Sequence, residues 1–462
     1  MKRHRTPAAA SLLKPQYIHS NTTRAKYVSF ALGVTAVYGD LLKRVLPGTV
    51  ALVSLYAISV TIILFMLATG RRSQRFRLRT PAVSRLAALL MATYYIQFCL
   101  GLEVDLLPAM MMLMYVCVPL AIIVVIPCAY PEFDIHALAL QTTILMVPIH
   151  AVGAVQAFID PQFLVSTAYS ETGGVIARNF LDGTDTFNRL PSLFASADRY
   201  AGVSAMQVFL TFLLFSEQAL RTKRAMLWLT FSLLLAFAGL FFAGARSRIL
   251  IVAAALLVAG IALLVSVQRG RLTTFGRTIL VRAVMVIGLL LTVGLSFESV
   301  RHRIAELPIF AMLEQTAEQG DAQDRTQQAI DISMVPDDVK FFGEGLGKSG
   351  DGRPGEFGIR AMWIEGGFFW TIIMLMIHAG ILLSIVMEAI RSTLGGNAVL
   401  SLMLTAGGLF WLFGLLAGLS SSFELSVALL LCPMIAVAAM ATSWPMTGGR
   451  LERGNPEARG TR

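Results

Sequence analysis

Two arginines, Arg246 and Arg248, interrupt a long apolar run in FFAGARSRIL. Charge in such a setting is costly and usually faces a polar cavity. A guanidinium stays charged and offers paired N–H donors to phosphate oxygens, so an outward-facing arginine pair suits a pyrophosphate. The plainer role is snorkelling, with the two heads placed among lipid headgroups. A second polar stretch, FNRLPSLFASADRYAG, supplies Arg189 and Arg199 beside the neutral donors Asn188, Ser192 and Ser196. A short loop entering a helix, capped by Ser196 or Asp198, explains that stretch equally well.

The longest polar segment runs from Glu298 to Arg360 and holds twelve of the 28 acidic residues. Arg301 and Arg303 stand just beyond the preceding apolar run, and Arg325 falls in an expected amphipathic helix over roughly 316–332. Taken singly, each of the three reads as a solvated or headgroup-facing charge. Glycines 343, 345 and 347 in FGEGLG permit a tight turn. The turn is not a phosphate-binding P-loop, because Phe342 stands where the first glycine would be needed. Glu356 and Glu365 flank the return to apolar sequence. Glu365, in IEGGFF, needs a partner, for which Arg360, Arg246 and Arg248 are candidates; a structural pair and a catalytic carboxylate fit equally. His136, His150 and His378 lie near or within apolar runs and form no HExxH, DxD or Ser-His-Asp pattern. Cys99, Cys117, Cys128 and Cys432 include no CxxC pair, so neither a disulfide nor a metal site is expected.

The elements that must position these residues are membrane helices. The chain is 56% hydrophobic and 14% charged with mean hydropathy +0.69, against about 25% charged residues in ordinary soluble domains. An all-α polytopic membrane protein with about twelve spans is expected, each from an apolar run of roughly 18 residues or more. The runs are Tyr27–Leu42, Thr49–Gly70, Leu86–Leu102, Leu107–Pro127, Ile135–Phe158, Tyr200–Leu220, Met226–Ala243, Ile249–Val267, Ile279–Phe297, Ala361–Met387, Ala398–Leu419 and Phe423–Ala441. The net charge of +10 is gathered in short gaps at 71–85, 221–224 and 269–277, which sets membrane orientation and argues against nucleic acid. Even numbers of spans separate those gaps, so all three face the cytoplasm together, and 159–199 and 298–360 face outward. Met1–Lys26 is polar and basic without the apolar core of a signal peptide. The layout is a cytoplasmic segment 1–26, spans one to nine over 27–297 with an outer loop at about 159–199, a large extracytoplasmic loop 298–360 carrying short helices, spans ten to twelve over 361–441, and a cytoplasmic tail 442–462.

Three stretches in order carry a resemblance. RLPSLFASADRYAG is similar to the outer-loop motif of bacterial O-antigen and exopolysaccharide polymerases, FAGARSRILIVAAALLVAG to a Gly/Ser/Arg turn opening a Leu/Ala-rich helix, and FFGEGLG with EFGIRAMWIEGGFFWTI to the family's glycine motif and glutamate-led helix start. The chain thus resembles the O-antigen polymerase/ligase superfamily between about 180 and 390. Glu365, Gly366 and Gly367 lie nearest the glutamate–glycine pattern, with Trp370 where a second glycine is usual. The histidine that the ligase branch carries is absent, and Glu356 stands near its place, which favours polymerisation over ligation.

The resemblance implies an enzyme of the bacterial inner membrane, with both termini cytoplasmic. It joins undecaprenyl-pyrophosphate-linked repeat units without metal or other cofactor. Its expected partners are the lipid-linked glycan donor and acceptor, membrane lipid, and chain-length or export proteins. Arg246 and Arg248 stabilise the departing pyrophosphate, with Arg189, Arg199, Arg301, Arg303 and Arg325 binding substrate, and Glu356 or Glu365 takes the acceptor proton. The rival readings are a ligase of the same superfamily, a twelve-span flippase or transporter, and a non-catalytic assembly subunit.

Overall fold

The computed structural model describes residues 23–41, 46, 48–69, 82–100, 106–129, 135–159, 163–164, 190, 192–194, 197–215, 222–243, 246–268, 341–346, 359–396 and 398–416. Among the described residues all regular structure is helical, the form in which an apolar run satisfies its own backbone groups without water. In order these are α1 (Thr23–Tyr38, continued by a 3-10 turn at Gly39–Leu41), α2 (Gly48–Thr69), α3 (Ala82–Leu100), α4 (Leu106–Ala129), α5 (Ile135–Phe158), α6 (Ala197–Phe215), α7 (Lys223–Ala243), α8 (Arg246–Gln268), α9 (Ile359–Leu394) and α10 (Ala398–Leu416). Five of them carry a stretch long and apolar enough to cross a membrane, at Ala82–Cys99, Ile135–Phe158, Lys223–Ala243, Arg248–Val265 and Met362–Leu394. The expected spans Ile279–Phe297 and Phe423–Ala441 lie outside the described residues, as does 298–340 of the polar segment.

Several helices outrun the apolar sequence that announces them. The seventh begins at Lys223 rather than Met226, the sixth at Ala197 inside the expected outer loop, and the ninth covers Ile359–Leu394 rather than Ala361–Met387. Hydropathy reports solvent preference, whereas Arg, Lys and Glu are themselves good helix formers. In α9 the extra turn carries an i,i+3 pair, Arg391 Nη1 to Glu388 Oε1 at 2.7 Å. It stops at two glycines, where the Gly395 and Gly396 N–H groups donate to Arg391 O and Thr393 O at 2.8 and 3.0 Å.

Two packed groups form the bundle. In one, α5 packs on α1, α6 and α7, and α6 packs on α7; in the other, α10 packs on α8 and α9, α9 on α3, α3 on α4, and α4 on α2. Contacts of α1 with α2 and of α6 with α8 and α10 join the groups, the last including an edge-to-face pair between Phe209 and Phe410 with centroids 6.5 Å apart. Apolar side chains gain little from leaving lipid for one another, so close approach and buried hydrogen bonds must hold such helices. A Cβ on Gly153 would lie 2.6 Å from the Tyr200 hydroxyl, and one on Gly239 2.6 Å from Ser204 Oγ and 2.7 Å from the His150 ring. Those two absent side chains let α5, α6 and α7 come together around a polar centre.

That centre has a defined direction. Gln207 Nε2 donates to the Ser232 carbonyl at 3.3 Å and to Ser232 Oγ at 2.9 Å, which fixes the orientation of its amide. Gln207 Oε1 therefore accepts from His150 Nε2–H at 2.7 Å, and His150 Nδ1 accepts from the Tyr200 hydroxyl at 2.9 Å. In the neutral imidazole this places the proton on Nε2 and leaves Nδ1 as the acceptor. Each link is satisfied, the condition under which a buried polar chain rigidifies a fold.

Candidate functional site

At the end of the bundle where α7 turns into α8, here the upper end, only residues 244 and 245 separate the two helices. Arg246 and Arg248, which fall in the five-residue gap 244–248 between the expected spans Met226–Ala243 and Ile249–Val267, therefore do not form a turn there; they belong to the first turn of α8. The Arg246 side chain lies outside the described residues. Arg248 is 0% exposed, with its guanidinium carbon 5.1 Å from the centroid of the Phe410 ring. A cation over an aromatic face is stabilised most when water is excluded. Snorkelling to headgroups is thus not what Arg248 does.

The last carbonyls of a helix have no intrahelical donor. At the end of α7 one of them, Phe242 O, receives the Leu190 N–H at 3.2 Å. This bond joins the RLPSLF stretch to the FAGARSR stretch. The stretch is then fastened residue by residue. Ser192 adopts φ 52°; its N–H donates to Gln156 Oε1 at 2.8 Å and its hydroxyl to Ile149 O at 2.6 Å. Gln156 Nε2 donates to Ser192 O at 3.2 Å and to Phe163 O at 2.7 Å. One buried amide on α5 thereby grips residues near both ends of the 159–199 stretch. Phe194 stacks on Tyr200 at 6.0 Å between centroids, and Tyr200 leads into the His150 chain. Arg199 is half-buried in the first turn of α6.

A second assembly forms where α9 breaks. Gly367 has φ 61° and ψ −171°, a region essentially confined to glycine. The break removes donors from the turn before it, and the FGEGLG turn replaces them. Glu344 N–H donates to Ile364 O at 2.8 Å and Gly345 N–H to Glu365 O at 3.0 Å, while Phe369 N–H donates to Phe341 O at 3.4 Å. Gly343 and Gly345 have φ of 85° and 104°, so the tight glycine turn read from the sequence is present. Glu365 is 5% exposed, and its carboxylate lies within electrostatic reach of Tyr94 on α3. Gln97, one turn further along α3, lies against Gly366, close enough that a Cβ there would collide with its amide. Both amide atoms of Gln97 are buried with no partner among the described residues.

The two assemblies sit at different heights. Trp411, next to the Phe410 beneath Arg248, donates its indole N–H to His378 Nδ1 at 3.0 Å. From Glu365 to His378 is about 20 Å of helix at 1.5 Å per residue. Arg189, Arg301, Arg303, Arg325 and Glu356 lie outside the described residues, as does the Arg360 side chain. Sequence reasoning passed over His150, Gln156, Tyr94 and Gln97. The available signal was polar side chains inside otherwise apolar helices, with Tyr94 and Gln97 sharing one face at i,i+3. Among the described residues no group of His, Cys, Asp and Glu is arranged to hold a metal ion. Among the described residues the chain is therefore an all-helical bundle, five of whose helices carry a stretch long and apolar enough to cross a membrane, with Arg248 and Glu365 both buried in it at different levels. No protein-family model matches the sequence, and no curated protein matches it.

Proposed function

We propose that the chain is a membrane glycan polymerase that joins polyprenyl-pyrophosphate-linked repeat units at the outer face of a bacterial inner membrane. The observation that carries this reading is the Leu190 N–H to Phe242 O bond. It fastens together the two stretches that resemble the polymerase family, each of which carries arginines: Arg189 precedes Leu190, and Arg246 and Arg248 open the helix after Phe242. In the reaction, an acceptor hydroxyl oxygen attacks C1 of the donor sugar and the C1–O bond to pyrophosphate breaks. Negative charge gathers on the leaving pyrophosphate, where fixed guanidinium groups act most strongly out of water. Arg246, Arg248 and Arg189 hold that charge, with Arg199, Arg301, Arg303 and Arg325 binding the rest of the substrate. The acceptor proton passes to a carboxylate. Glu356 and Glu365 are the candidates for it. No metal or other cofactor enters this scheme. Donor and acceptor glycans and membrane lipid are the partners, together with chain-length or export proteins.

The test is chain growth in vesicles containing the full chain and purified polyprenyl-pyrophosphate repeat units, with a metal chelator present. Products longer than one repeat, with matching release of polyprenyl pyrophosphate, are expected. Folded protein that yields none overturns the reading. One feature favours a second reading, a lipid-linked glycan flippase: transporters also build sites at broken helices with buried charge, as α9 has at Gly367 and Glu365. Transfer of labelled lipid between leaflets without chain growth would select it. Ligation differs from polymerisation only in the acceptor, and the same assay separates them by offering a lipid-A-type acceptor.

A further inference from the structure

The FGEGLG turn places Phe341 and Phe342 at its tip, 56% and 58% exposed. Three backbone hydrogen bonds hold the turn on α9, so these rings are displayed by a fixed element. Phe341 packs against Phe368 and Phe369 with centroids 6.1 Å away in each pair, and Phe342 against Phe369 at 5.7 Å. Together they form an aromatic pad with an exposed outer side.

The pad continues a single apolar stripe. Below it α9 exposes Ile372, Met376, Leu383, Met387 and Ile390, at the three- and four-residue spacing that keeps one helix face outward. From Phe369 to Ile390 the stripe is about 30 Å long, the thickness of a bilayer's hydrocarbon core. At its lower end the Arg391–Glu388 ion pair stands, with the Arg391 side chain 66% exposed. The stripe is therefore bounded by charge at one end and by aromatic rings at the other. Exposed Phe rings, like Trp and Leu, bury into the boundary between headgroups and acyl chains where a segment lies on a membrane. A face with this length and these ends fits a bilayer rather than a second protein surface.

We infer that the Phe341–Phe342 tip is seated in the membrane, and that its partner is the acyl–headgroup boundary of the leaflet at the upper end. The polar segment then touches the bilayer at 341–346, well before α9 begins at Ile359. This conclusion stands whether or not the chain polymerises glycans.

The test uses the full chain in vesicles of phosphatidylethanolamine and phosphatidylglycerol. Its four cysteines are replaced by alanine, and a nitroxide is attached at Phe342→Cys, with Leu383→Cys as the mid-stripe reference. Collisions of the Phe342→Cys label with dissolved oxygen should outnumber those with a water-soluble nickel chelate, at a depth shallower than the Leu383→Cys label. In the cysteine-containing chain, added fluorescence from Phe342→Trp should be quenched by brominated phospholipid and spared by iodide. Dominance of the nickel chelate or of iodide would place the tip in water and overturn the inference. Strong spin–spin broadening, the mark of a second copy on the face, would overturn it too.

Discussion

Gly343→Ala gives a sharp test of how the break in α9 is held. Gly343 has φ 85°, and a Cβ there would run into the Glu365 carbonyl and lie 2.5 Å from the carbonyl carbons of Glu365 and Gly366. Backbone is what it meets, so no side chain can swing aside. If the turn stays seated, the left-handed backbone alone costs alanine about 1–2 kcal/mol. If it lifts away, three backbone hydrogen bonds worth about 1 kcal/mol each are lost, which caps the penalty near 3 kcal/mol. Amide exchange across 341–346, followed by mass spectrometry on the reconstituted chain, should accelerate by roughly 10- to 100-fold, since each 1.4 kcal/mol is a factor of ten. Gly260→Ala is the matched control. Nothing lies within 4 Å of a Cβ there, and alanine gains up to about 1 kcal/mol in a helix interior. Unchanged exchange at 341–346 in Gly343→Ala would refute the account of the turn as the cap on a broken helix.

Other consequences follow from the buried polar groups. Gln156→Leu leaves the Ser192 N–H and the Ser192 and Phe163 carbonyls without their partner, a loss of about 2–4 kcal/mol. It should speed proteolysis between 165 and 189 before it lowers the thermal midpoint, and wild-type protease resistance would count against the clasp. His150→Phe strands both Tyr200 and Gln207 and should lower thermal stability in detergent by about 1–3 kcal/mol. Gln207→Leu with His150→Phe should cost less than the two singles summed, because the pair acts as one unit; strict additivity would deny the chain. Gly239→Ala should mimic His150→Phe in direction, since its methyl meets Ser204 and the imidazole.

Much of the scaffold was legible from apolar run length, and Ile135–Phe158 coincides with the observed helix to the residue. The ends were not, because polar residues that dislike lipid still favour helix, and so Arg246 and Arg248 looked like a turn while forming one end of α8. The glycine turn in FGEGLG could be read locally from its residue types. Its destination could not, since the hydrogen bonds to Ile364 and Glu365 span some twenty residues of chain and depend on the break at Gly367. Lone histidines in apolar runs gave no motif, and His150 acquires its meaning from Tyr200 and Gln207 on another helix. Arg248 is the instructive residue. Its type suggested anion binding or snorkelling, and only its burial against Phe410 excludes the second.

The central claim is that guanidinium groups at the start of α8 stabilise a departing lipid pyrophosphate. The most direct measurement is single-turnover chain extension from purified lipid-linked repeat units by Arg246→Ala, Arg248→Ala and Arg248→Lys, each first shown to unfold at the wild-type temperature. Removing one such donor typically costs 100- to 1000-fold in rate, about 3–4 kcal/mol. Both alanine variants should fall by about that much, with Arg248→Lys partly restored. Wild-type extension by both alanine variants would contradict it.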